Sequence, residues 1–128
     1  MELAIPLEFG EQLAFGAAIF SAMLGLMMMI APGFSLRVLG FSPPDASTAP
    51  FSEMRSSLGG FYLGLGASAI LVAQPFVYFA LGLGFAVAAF ARILSILSDR
   101  GNTIRNYIFL VVQIVLSALP LGYFFGFI

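Results

Sequence analysis

Four apolar runs, each close to twenty residues long, follow one another along this chain of 128 residues and constrain its fold more than any other feature. They extend from about Gln12 to Ala31, Glu53 to Ala73, Phe76 to Ser98 and Ile104 to Phe127. A helix rises about 1.5 Å per residue, so about 20 apolar residues cross the roughly 30 Å hydrocarbon core of a bilayer. Each run therefore predicts a membrane-spanning helix. Pro32-Gly33, Gln74-Pro75 and Asp99-Arg100-Gly101-Asn102 close the first three, and residues of those types end helices. A water-soluble alternative fails on composition: 61% of residues are hydrophobic, the mean hydropathy is +1.07 and 9% are charged, against about a quarter charged in a soluble domain. The expected fold is one all-α domain over residues 1–128, an integral membrane four-helix bundle with antiparallel neighbours.

The connections differ in length. Those after the second and third spans are only a few residues, which predicts that spans two, three and four are sequential neighbours. The first, Pro32 to Ser52, is much longer. Its GFSLRVLGF portion suits the headgroup layer, with Arg37 reaching phosphate, while SPPDASTAP reads as loop.

Arginine sets the expected orientation. Four crossings place Arg37, Arg55, Arg100 and Arg105 on one side, with Arg92 near its edge, and Glu2, Glu8 and Glu11 on the other. Five cations against none predicts, by the positive-inside rule, a multi-pass protein of the bacterial inner membrane with N- and C-termini on the periplasmic side. The acidic start also argues against a cleaved signal peptide.

The chain contains no Cys, His, Trp or Lys. Thiol nucleophiles, Ser-His dyads, Lys Schiff bases and the usual Cys and His metal sites therefore lack their residues. No cofactor, metal or catalytic residue is expected. A net charge of −1 also argues against a nucleic-acid partner.

The second span carries the densest pattern, FSEMRSSLGGFYLGLGASAILV. At 100° per residue, Ser56, Gly60, Gly64 and Ser68 share one stripe with Glu53, while Gly59 and Gly66 share another with Arg55 and Tyr62. Small residues four apart let helix backbones approach closely in lipid. Two thin sides predict that this span lies at the centre of the bundle with a neighbour on each. Matching small pairs occur at Ser21 and Gly25, Gly82 and Ala86, Gly84 and Ala88, and Gly122 and Gly126. Such pairs suit packing within a monomer, a dimer face or a ligand slot.

Glu53 and Arg55 are two apart and cannot face one another on a helix. Arg92, Ser95 and Asp99 share a face of the third span, so Glu53 with Arg92, and Asp99 with Arg55 or Arg105, are the expected pairs. The cluster Glu53, Arg55, Arg92 and Asp99 is read as a structural ion-pair clasp or a ligand mouth. Arg37, Arg100 and Arg105 are candidates for lipid headgroups. Deeper in the membrane, Gln113, Ser68 and Ser117 suit hydrogen bonds between helices, and Pro120 predicts a kink in the fourth span.

The pattern Glu53-x-Arg55-x-x-x-Gly59-Gly60-x-x-x-Gly64-x-Gly66, followed by Arg92-x-x-Ser95-x-x-x-Asp99-x-Gly101, resembles an uncharacterised family of small bacterial four-transmembrane-helix proteins, loosely similar to DoxX-like proteins. The likeness covers about 50 residues of the second and third spans. It implies four helices and no particular reaction. The expected function is non-enzymatic: an accessory or assembly subunit of a larger membrane complex, or a homo-oligomer, acting through helix packing. The alternative is a lipid- or small-ligand-binding or transport module with an Arg/Glu mouth.

Overall fold

A computed structural model describes residues 8–39, 52–98 and 103–128, and the secondary structure among them is entirely helical. Helix α1 spans Phe9–Ile30, α2 spans Pro32–Leu39, a π-helical segment spans Met54–Gly60 and leads into α3, Phe61–Val72. Helix α4 spans Pro75–Ser98 and α5 spans Ile104–Phe125. Three of these, α1, α4 and α5, are each long and apolar enough to cross a membrane. Large apolar side chains cover their outer surfaces, among them Phe90, Val87 and Val111, as lipid-facing helices require.

The breaks have local causes. Ala31 leaves helical geometry at φ −123° and ψ 64°, and Pro32 then opens α2, where its fixed φ and missing N–H cost nothing. The Ser35 hydroxyl donates to the Ala31 carbonyl at 2.9 Å and holds the corner. Pro32-Gly33 thus ends one helix as expected but also begins another. One face of α2 turns inward: Leu36 is buried with Met28 and Met54, while Phe34 and Val38 stay exposed. At the far end of α3, Ala73 adopts the left-handed conformation. The Gln74 carbonyl then accepts from the Val77 and Tyr78 amides as α4 starts at Pro75. Gly126 closes α5 with φ 82°, a conformation that a side chain would strain. It is a cap and not a packing residue. Helix α5 continues through Pro120, which is buried.

The centre of the molecule is α1 and not the second span. Helix α1 packs along α3, the π segment and α5 and touches α2, whereas neither α1 nor α3 meets α4 more than lightly. The reason is side-chain size. Gly10, Ala14, Ala17, Ala18, Ser21 and Gly25 fill the buried face of α1, so several neighbours approach its backbone at once. The main core joins Ala14, Ala17 and Ala18 to Ala69, Tyr78, Leu81, Phe85 and Leu116. Between α4 and α5, Gly82 lies under Leu121, and the Phe79 ring packs at a tilt against Phe124, 4.8 Å between centres. Tyr78 meets Tyr123 edge-on at 5.5 Å.

Candidate functional site

The two stripes of the second span have opposite fates. Gly59 and Gly66 are buried against α1. A Cβ on Gly66 would stand 2.6 Å from the Ala18 carbonyl oxygen and 2.7 Å from the Ala22 amide nitrogen. One on Gly59 would stand 2.8 Å from the Met29 nitrogen, and one on Gly25 opposite would overlap the Leu63 nitrogen. No real side chain fits at such distances, so two backbones touch here only because these three positions are glycine. The Ser21 hydroxyl adds a bond to the Tyr62 carbonyl at 3.1 Å.

The other stripe faces outward. Ser56, Gly64 and Ser68 are exposed and Gly60 is half-buried. A Cβ on Gly64 would meet nothing within 4 Å, and one on Gly60 only its own helix's Arg55 carbonyl. Ser56 donates to the Ser52 carbonyl and Ser68 to the Gly64 carbonyl, both at 2.8 Å. Their hydroxyls are thereby satisfied within the helix and make no demand on a neighbour. The expectation of a neighbour on each thin side is corrected: within the described residues one side is filled and one is open.

The expected Glu53–Arg92 pair is likewise corrected. Glu53 accepts from the Ser57 hydroxyl at 2.7 Å, one turn along its own segment. Arg55 reaches across to α1, where one guanidinium nitrogen donates to the Met29 carbonyl at 2.9 Å. That carbonyl lies at the C-terminal end of α1, which has no basic residue in its last turn and carries the negative pole of the helix dipole. Arg92 turns instead to α5: Nε donates to Gln113 Oε1 and a terminal nitrogen to Asn106 Oδ1, each at 2.8 Å. Its guanidinium also lies 5.4 Å from the centre of the Phe109 ring. Glu53 misses Arg92 because the π segment packs on α1 and α2, whereas Arg92 is committed to side chains of α5. Asp99 and Arg100 lie outside the described residues, as do Glu2 and the loop residues 40–51.

Arg92 is therefore a half-buried cation held by neutral amides. The Tyr62 hydroxyl of α3 lies close to the Gln113 side chain, so three helices meet near this glutamine. Asn106 and Gln113 are seven residues apart and fall on one face of the fourth span. That spacing is the sequence signal for the Arg92 partners, and it passes unnoticed when only carboxylates are sought. Ser68 and Ser117, expected to bond between helices, bond within their own instead, Ser117 to the Ile114 carbonyl at 2.9 Å.

Arg37 and Arg105 are exposed and make no hydrogen bond or ion pair within the described residues. Arg105 lines an open groove of about 470 Å³ together with Val38, Thr103, Ile104, Ile108 and Phe109. Thr103 caps α5, its hydroxyl accepting from the Asn106 amide at 3.2 Å. Among the described residues no group of three or more His, Cys, Asp or Glu side chains could hold a metal. No protein family model matches the chain, and no curated protein or solved structure matches it either.

Proposed function

We propose that this chain is a non-enzymatic, multi-pass protein of the bacterial inner membrane that acts by packing against other membrane helices, as an accessory subunit of a larger complex or as a homo-oligomer. The kinship with small four-transmembrane-helix proteins belongs to the same proposal. Four antiparallel crossings are inferred, the π segment and α3 together forming the one that is not a single α-helix. Contacts of Phe79 with Phe124, Gly82 with Leu121 and Arg92 with Gln113 run in opposite chain order and support antiparallel neighbours. The positive-inside rule puts the arginine-bearing ends in the cytoplasm and both termini in the periplasm.

The observation that carries the reading is the open stripe of Ser56, Gly60, Gly64 and Ser68. A helix laid there would meet backbone at close range, as α1 does on the opposite stripe, and would leave no hydroxyl unsatisfied.

The absence of cysteine makes the test clean. A Gly64→Cys chain, oxidised in native membranes, is expected to form a cross-linked species, whereas Phe90→Cys on the lipid face of α4 is not. In mild detergent the wild type should run as an assembly larger than the monomer, and Gly64→Leu should shift it to a folded monomer. A wild type that runs as a monomer, or a Gly64→Leu chain with unchanged assembly, would sink the proposal.

A further inference from the structure

The four arginines among the described residues do not share one role. Arg55 and Arg92 are engaged by carbonyl oxygens of this chain, whereas Arg105 and Arg37 have no partner within the described residues. The groove beside Arg105 is layered. Thr103 and Arg105 stand at the start of α5, while Ile104, Ile108, Phe109 and Val38 supply apolar walls. Its volume of about 470 Å³ lies within the range of roughly 300–1,000 Å³ usual for small-molecule pockets. Phe109 belongs both to this wall and to the Arg92 contact. A half-buried positive charge, bonded among the described residues to neutral amides, therefore stands just behind the groove.

Charge at this end is positive on balance. Between Arg37 and Arg105 the sequence carries five arginines against Asp45, Glu53 and Asp99. Such a field favours an anion and disfavours a zwitterion that brings its own ammonium group. An amphiphile with a negative head and an apolar tail matches both layers of the groove.

We infer that the groove between the end of α2 and the start of α5 binds one anionic phospholipid, its phosphate on Arg105 and an acyl chain along Ile104, Ile108 and Phe109. Arg37, the neighbour of Val38 in the chain, adds to the attraction from the α2 side. Arg92 acts at longer range, through Phe109, and keeps its bonds to Gln113 and Asn106. This site is separate from the outward stripe on α3 and stands whether or not that stripe docks a helix.

The test uses the full chain in an uncharged detergent and follows the midpoint of thermal unfolding. Phosphatidylglycerol is titrated against phosphatidylcholine of identical chains and against inorganic phosphate. Phosphatidylglycerol should raise the midpoint saturably, and the other two should not. Arg105→Gln removes a charge-assisted bond and should weaken apparent affinity roughly tenfold. Ile104→Glu puts a like charge beside the phosphate and should weaken it at least as much. Both side chains are exposed, so both variants retain the fold. Equal stabilisation by phosphatidylcholine overturns the proposal in favour of general lipid solvation. A response to inorganic phosphate alone overturns it in favour of a bare anion site. An undiminished phosphatidylglycerol response in the two variants also overturns it, as does a stoichiometric acidic protein found to displace the lipid.

Discussion

Two faces of one helix, Met54–Val72, show how little residue type says until its surroundings are known. Gly66 and Gly64 are two positions apart and chemically identical. Gly66 lies in contact with the backbone of α1 at Ala18 and Ala22, whereas a methyl group added to Gly64 would have nothing within 4 Å. The first glycine is needed for the monomer to close. The second costs the helix about 1 kcal/mol of intrinsic propensity relative to alanine without any contact in return among the described residues. That imbalance is what a docking helix outside this chain would offset.

The comparison can be broken most violently at Gly25, which faces Gly59 and Leu63 from the α1 side. Gly25→Leu should destabilise the monomer by about 3 kcal/mol, because backbone on both helices must move apart. Gly66→Ala should cost about 1–3 kcal/mol by the same route. Reversible unfolding in detergent followed by circular dichroism reads both. If either variant matches the wild type, the close approach of α1 and α3 is wrong.

A second comparison, between the partners of Arg92, gives an intermediate effect. In a double-mutant cycle, Arg92→Met with Gln113→Met should show a coupling of roughly 1.5–3 kcal/mol, the range for hydrogen bonds to charged groups. Arg92→Met with Glu53→Gln should be additive within about 0.5 kcal/mol. A large coupling in the second cycle would restore the ion-pair clasp and refute the amide-held arginine. The smallest effect belongs to Gly64→Ala, expected to leave monomer stability unchanged or to raise it by up to about 1 kcal/mol. A loss there would mean that the stripe is already occupied within the monomer.

The helices are the legible part of the sequence, for a physical reason. A run of about 20 apolar residues between Pro, Gly and charge has few alternatives in a bilayer, and Phe76 to Ser98 as expected differs from Pro75–Ser98 as observed by one residue. Neighbour choice is less legible. The second span looks central because its glycines are conspicuous, yet α1 carries its small residues as alanine, serine and only occasional glycine. Alanine is both a small packing residue and an ordinary helix former, so its spacing in α1 does not stand out. Arg92 is hard to place because opposite charge is the obvious partner for a cation. In a low-dielectric setting two amide oxygens and an aromatic face suffice to hold it. The residues Asn106 and Gln113, two turns apart on one face, are the trace that this arrangement leaves in the sequence.

The π turn at Met54–Gly60 is invisible in the sequence for a different reason: a face assignment at 100° per residue presumes a uniform α-helix. A π turn closes its hydrogen bonds over five residues and not four, so it accommodates an extra residue without lengthening the helix by a full step. Everything before Gly60 is consequently out of phase with everything after it. Whether Arg55 finds the Met29 carbonyl, and Glu53 its own Ser57, depends on the number of residues between them and Gly66 as much as on their chemistry. In that sense Ser56 to Gly60 serves as a spacer whose length is itself information: a one-residue deletion there, with every named side chain retained, would let the segment close as an ordinary α-helix with the charges still on the faces they now hold, whereas a second deletion would rotate them by about 100° and rewrite which helix each one reaches.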